Sequence, residues 1–230
     1  MSDVAVVTGA GTGIGRATAR RFAADGMRVV AVGRNAERLR ETAHGHASVE
    51  PLAADISREQ DVAHIREQAT RDGRLRAWVN CAAVVDPAPF AELDPRRWDG
   101  VLDVNLRGTY LCCRAAFSAI AEQKQSGTIV NVASLSGVPN VEKFPGLAAY
   151  NVSKAGVVAL SEAVALEGRQ HGVRCICLSP GAVDTEMLRR AAPHLKPGVT
   201  PDDVAAIIAF LASDAAAALT GVNIPILSNA

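Results

Sequence analysis

The 230 residues carry 24 Lys and Arg against 24 Asp and Glu, so no basic surface for nucleic acid or anionic lipid is implied. That length suits one α/β domain with a large core, and few aromatics beside many Ala, Val and Gly favour helices packed closely on a sheet. No apolar run reaches bilayer length, the opening MSDVAVVTG lacks a charged leader, and five cysteines without a C-x-x-C pair imply idle thiols in a cytoplasmic chain, with no metal site.

In chain order, residues 4–8 read as a short buried strand and 9–15 as a glycine-rich turn. A helix follows over 14–25, stopped by Gly26. A second strand spans 28–32, and Asn35 is placed to cap a helix over 36–44. A third strand, 48–53, ends near Asp55; a helix over 57–71 then leads to a strand at 77–80. Pro95 opens one long helical stretch, 96–123. Residues 128–133 form a fifth strand, 149–171 a long helix, and 173–178 a sixth strand broken by Pro180 and Gly181. Cys175 and Cys177 alternate on that strand and fill the core from one face. Thr200-Pro-Asp-Asp caps a helix to about residue 213. The last strand, 221–227, tolerates Pro225 only at an edge or strand end. Strand and helix alternate without repeats or linkers, and the strands are apolar without alternation. The pattern predicts a single-domain, three-layered, doubly wound α/β fold on a parallel sheet.

Two places carry chemistry. Gly9, Gly11, Gly13 and Gly15 lie between a strand and a helix, where small residues let backbone N–H groups and the helix N-terminus approach a pyrophosphate. Flanked in that way, the turn points to dinucleotide binding. At the second place, Ser134 follows the fifth strand, while Tyr150 and Lys154 stand four apart on one helix face. A cation beside a phenol favours the phenolate, which suits Tyr150 to acid–base work.

The chain contains, in order, Thr8-Gly9-Ala10-Gly11-Thr12-Gly13-Ile14-Gly15, Asp55, Asn80-Cys81-Ala82-Ala83 and Asn105-Leu106-Arg107-Gly108. Ser134, Tyr150-x-x-x-Lys154, and Pro180-Gly181 with Thr185 follow. This set, spread over essentially the whole chain, resembles the classical short-chain dehydrogenase/reductase family, and most of all its 3-oxoacyl-(acyl carrier protein) reductase-like branch. The resemblance implies a Rossmann-type fold and hydride exchange with a nicotinamide dinucleotide. It implies that Tyr150 is the general acid/base and that Ser134 polarises the substrate oxygen. Lys154 would hold the nicotinamide ribose and lower the Tyr150 pKa, and Asn105 would position a water linking Lys154 to solvent. The glycine turn, with Thr12 and Ile14, would cradle the cofactor. Asp55 and Ile56 would meet the adenine; Asn80, Ala82 and Ala83 the adenosine side; Pro180, Gly181, Val183 and Thr185 the nicotinamide half. Asn131 reads as structural.

Charge selects the cofactor. The position after strand two, where NAD enzymes place an acid for the ribose 2′-OH, is Gly33, and Arg34 follows it. An Arg fork suits a 2′-phosphate, so NADP(H) is favoured over NAD(H), although Thr12 stands where many NADP relatives have a second basic residue. Other departures are Ala83, a methyl larger than the family's usual Gly, and a Ser134-to-Tyr150 gap of 16 positions. The extra residues, 139–146, are expected at the active-site mouth, with Phe144 and Leu147 as substrate contacts. Residues 186–199 form a short lid offering Met187 and Leu188. The tail to Ala230 lacks the family's Asp-Gly-Gly, which leaves homodimer and homotetramer both open. The expectation is an NADP(H)-dependent oxidoreductase that interconverts a small-molecule carbonyl and a secondary alcohol. An NAD-dependent alcohol dehydrogenase, a non-catalytic dinucleotide sensor and an oligomeric scaffold are the alternatives.

Overall fold

The computed structural model describes residues 2–227. Its strands are β1 (Asp3–Thr8), β2 (Arg28–Gly33), β3 (Val49–Ala53), β4 (Arg74–Asn80), β5 (Gly127–Val132), β6 (Val173–Pro180) and β7 (Asn223–Ile226). Its helices are α1 (Gly13–Ala24), α2 (Ala36–Ala43), α3 (Glu59–Thr70), α4 (Pro95–Leu102), α5 (Thr109–Glu122), α6 (Ala148–Gly168), α7 (Glu186–Ala191) and α8 (Pro201–Ala212). The strands form one parallel sheet in the order β3-β2-β1-β4-β5-β6-β7.

Alternation along each strand feeds two cores. Val4 and Val6 of β1 join Val30, Trp78 and Ile129 on one face, beneath Ile65 of α3 and Leu111 and Ile120 of α5. Ala5 and Val7 join Ala31, Val79 and Val130 on the other, beneath Phe22 of α1, Leu39 of α2 and Ile208 of α8. Fully burying one such large side chain contributes roughly 1.5–3 kcal/mol. Both faces are covered, so the strands read as unbroken apolar runs. The strand order reverses direction between β1 and β4, and register sets Thr8 level with both Val32 and Asn80. Loops leaving β1 and β4 therefore open a crevice at the carboxyl ends of the strands.

Three elements differ from the sequence reading. The fourth strand starts at Arg74, ahead of the expected residue 77, because Arg74 and Leu75 already pair with Asp3 and Val4 of β1 before the register shifts at Arg76, which is buried and paired to Asp214 at 2.6 Å. The expected helix 96–123 is divided by a π-helical turn, Asp103–Gly108. There Gly108 packs against Ile56, where a Cβ would come within 2.9 Å. The lid contains α7, capped by the Thr185 hydroxyl, which accepts from Leu188 N at 3.2 Å.

A buried polar chain fastens α6 to the sheet. Asn80 Nδ2 donates to Asn131 Oδ1 at 2.8 Å, Asn131 Nδ2 to Ser161 Oγ at 2.8 Å, and Ser161 Oγ to the Val157 carbonyl at 2.7 Å. Each edge strand carries a proline, Pro51 in β3 and Pro225 in β7. The carbonyls of Ser48 in the β3 register and of Val222 and Ile226 in the β7 register bond inward. With a period of two, both proline nitrogens face away from the sheet.

Candidate active site

The glycine turn sits where β1 hands over to α1. Gly9 has φ +67°, and a Cβ there would lie 2.8 Å from the Ala82 backbone. A Cβ on Gly15 would lie 2.3 Å from the Gly9 carbonyl oxygen. The turn is thus pressed against the loop after β4, and Thr8 Oγ1 joins the two by accepting from Cys81 N at 3.1 Å and Ala82 N at 3.2 Å. At its end Thr12 makes no side-chain cap, and the first turn of α1 holds no acid. Its first-turn N–H groups are therefore free of side-chain caps, and their partial positive charge faces the crevice. A dinucleotide pyrophosphate fits this cradle.

The opposite wall comes from β5, the loop behind it and α6. Ser134 leaves β5 extended and caps the following single turn, its Oγ accepting from Ser136 N at 3.1 Å. That leaves the hydroxyl proton to be donated elsewhere. Lys154 is buried, and its Nζ donates to the Val132 carbonyl at 2.8 Å and lies 5.7 Å from the Tyr150 ring centre. Burial pushes the Tyr150 phenol up to about 12, against a contact with Ser134 that pulls it down. Burial likewise lowers Lys154 to about 8. The expected lowering of the Tyr150 pKa by Lys154 does not offset this, desolvation being the largest influence on both groups. Burial also raises Cys81 to about 11, so it lines the site as a neutral thiol.

One cavity of ≈ 290 Å³ brings these walls together: Gly9, Thr12, Gly13, Ile14 and Gly15 on one side, Ser134, Tyr150 and Lys154 on the other. Ala82, Ala83, Pro180, Gly181, Val183 and Thr185 also line it, as do Phe144, Met187 and Leu188 at the mouth. A second cavity, ≈ 610 Å³, lies beside the glycine turn and takes in Gly11, Arg34 and Ala83.

Several expected contacts are placed elsewhere. Leu147 is buried at the N-terminus of α6, outside both cavities. Asn80 is turned into the polar chain beneath the sheet ends and also accepts from Trp78 Nε1 at 3.0 Å, so its amide does not face an adenosine. Asp55 is held by Ser57 through both N, at 3.0 Å, and Oγ, at 2.8 Å. Ile56 is buried against Gly108, and neither it nor Asp55 lines either of these two cavities. The Asn105 side chain is occupied: Oδ1 accepts from Val84 N at 2.8 Å, and Nδ2 donates to the Val84 carbonyl at 2.9 Å and Ser153 Oγ at 3.1 Å. Its side chain braces the β4 loop against α6.

Other lining residues are not singled out by the sequence, although most fall in the loop 139–146 and the lid 186–199 expected at the mouth. Leu135, Val141 and Glu142 come from the loop after β5, and Ala191, Ala192 and Leu195 from the lid. With Met187 and Leu188, the lid positions recur at helical spacing, a signal present in the sequence but too short to stand out.

A family model described as short chain dehydrogenase matches residues 3–196. The 3beta-hydroxysteroid dehydrogenase 1 of Eggerthella lenta is 37% identical over 239 residues, covering 95% of this chain and 90% of that protein. The (3R)-3-hydroxyacyl-CoA dehydrogenase of Rattus norvegicus is 33% identical over 249 residues, covering 98% and 95%. Among solved structures, a 3-ketoacyl-(acyl-carrier-protein) reductase from Brucella melitensis complexed with NADH superposes with a TM-score of 0.89 at 33% identity, covering 99% and 97%.

Proposed function

We propose that this chain, which belongs to the short-chain dehydrogenase family and is an oxidoreductase of that family, interconverts a carbonyl and a secondary alcohol and favours NADP(H). One observation carries the reading: Ser134, Tyr150 and Lys154 face the glycine turn across a single cavity. The bound nicotinamide supplies or accepts the hydride. Gly9, Thr12, Gly13, Ile14 and Gly15 would hold its phosphates; Pro180, Gly181, Val183 and Thr185 would hold the nicotinamide half.

The chain's own residues manage the oxygen and the proton. The Ser134 hydroxyl, fixed by Ser136 N, donates to the substrate oxygen and stabilises charge gathering there. Tyr150, held at about 12, is protonated near neutral pH and donates to that oxygen during reduction. Lys154 binds the cofactor ribose from the Tyr150 face of α6. Asn105 acts as a positioning residue through Val84 and Ser153.

Toward the mouth the lining is largely apolar, with Leu135, Val141, Phe144, Met187 and Leu195 beside two acids, Glu142 and Glu186, the latter paired to Arg38. Lys143 beside Glu142 is tied back to the carbonyls of Leu135, at 3.0 Å, and Val138. An apolar, uncharged ketone or alcohol suits that lining. Five free thiols suit a cytoplasmic setting. Tyr110, Val152, Leu166 and Phe210 supply exposed apolar area for a homo-oligomer.

NAD(H) is the second reading, favoured by the NADH in the Brucella melitensis relative. Paired fluorescence titrations with NADPH and NADH decide. Tighter NADPH binding that weakens about tenfold or more in Arg34→Ala, one charge-assisted fork lost, supports the NADP(H) reading. Preference for NADH overturns it.

A further inference from the structure

The second cavity holds an unusual balance of charge. Arg34 and Arg38 reach it from the corner between β2 and α2, and Arg190 from the lid, against the single acid Glu186. Arg38 stands over the glycine turn: a Cβ on Gly11 would lie 3.2 Å from the Arg38 Cβ. Its guanidinium does not stay there unpaired. Arg38 Nη1 meets Glu186 Oε2 at 3.1 Å, and this pair joins α2 to the first residue of α7 across 148 positions of chain. Arg34, by contrast, makes no ion pair among the described residues. Glu186 and Met187 line both cavities, so whatever moves this end of α7 is felt on the substrate side as well.

We infer that Arg38 is a second ligand for a ribose 2′-phosphate and that Glu186 is the acid it leaves to bind one, so that the phosphate unlatches the lid helix. The inference rests on the dinucleotide reading of the neighbouring cavity. Both members of the Arg38–Glu186 pair are about half exposed, 45% and 52%, and ion pairs in such positions are weak and easily exchanged. A phosphate offers more charge and a bidentate match to the guanidinium fork. Once seated between Arg34 and Arg38, it also repels the Glu186 carboxylate. A ribose with a free 2′-OH brings no charge, so Arg38 stays with Glu186 and the lid stays latched. NADP(H) and NAD(H) would then differ in the posture of α7 as well as in affinity.

Adenosine 2′,5′-bisphosphate and 5′-AMP isolate this step, since neither carries a nicotinamide and no turnover is involved. Calorimetric titration of the wild type, Arg38→Ala and Glu186→Gln is combined with hydrogen–deuterium exchange over residues 186–199. The bisphosphate is expected to bind about tenfold more weakly to Arg38→Ala, and about threefold or more tightly to Glu186→Gln, with 5′-AMP changed by less than about twofold in both. Exchange in the lid is expected to rise with bisphosphate, not with 5′-AMP, and to be raised already in Glu186→Gln. If the wild type discriminates and neither variant changes that, Arg34 acts alone; the inference is then overturned while the NADP(H) reading stands. Unchanged lid exchange on saturation with bisphosphate also overturns it. Equal binding of the two nucleotides removes the inference and the NADP(H) preference together, and binding of neither removes the dinucleotide reading itself.

Discussion

At the scale of single residues, burial decides the electrostatics of the site. Tyr150 and Lys154 are displaced in opposite directions by the same desolvation, which penalises phenolate and ammonium alike. The linkage has a sign. Lys154 drops from 10.5 to about 8 on folding, so the unfolded chain holds the proton over a range where the folded chain has lost it. Stability from this group therefore rises between pH 8 and 10.5 and is lost as pH falls through about 8. The shift is worth roughly 3 kcal/mol. Urea unfolding of the wild type and Lys154→Met should show the difference moving in favour of the wild type by that order from pH 7 to 10.5; a constant difference would contradict it. Tyr150→Phe should lower kcat by roughly 10²–10⁴, the usual worth of a positioned general acid, while NADPH binding changes little. The glycine turn and the Tyr150/Lys154 pair were legible because their spacing is local. Asn80, Asp55, Asn105 and Leu147 were not, since the direction of each side chain is set by a partner far along the chain or by burial that spacing does not report.

Among elements, the turn that carries Ser134 depends on how closely it lies on α6. A Cβ on Gly137 would fall 2.5 Å from the carbonyl carbon of Lys154 and 2.6 Å from Ala155 N. These are backbone atoms of a helix, which cannot yield as a side chain would. Gly137→Ala should therefore cost about 1–3 kcal/mol by overpacking, read from the urea midpoint. It should also depress activity more than stability explains, by lifting Ser134 away from Tyr150. Retained activity in a destabilised Gly137→Ala protein would uncouple the turn from the site. The π-helical turn shows why element boundaries stayed partly hidden. Residues 96–123 keep helical composition throughout, and only contacts between Gly108 and Ile56 and between Asn105 and Val84 locate the interruption. Such turns often mark functional positions in helices. The six residues of α7 were missed for the opposite reason, being too few for a period to declare itself.

For the whole molecule, alternation of strand and helix was enough to predict a covered parallel sheet, and the apolar strands follow from burial on both faces. Strand order was not written in any segment. It emerges from which faces are left to pack once each crossover is made, and with it comes the meeting of the loops after β1, β4 and β5 that creates the cavity. Pro225 did announce an edge, and Pro51 marks the other. Both nitrogens face outward, so each proline leaves the sheet's internal ladder whole and removes a donor from the rim. A sheet of seven parallel strands has two open rims, and each is a template on which a second chain could add a strand. Here both templates are interrupted. Replacing Pro51 and Pro225 together by Val should alter the unfolding free energy by only about 1 kcal/mol, largely through the unfolded chain. The same double variant should scatter light and form intermolecular β-structure sooner than the wild type when held warm at high concentration. The two prolines thus act on the protein's colloidal fate, keeping a sheet that must stay open at its edges from becoming a seed for aggregation.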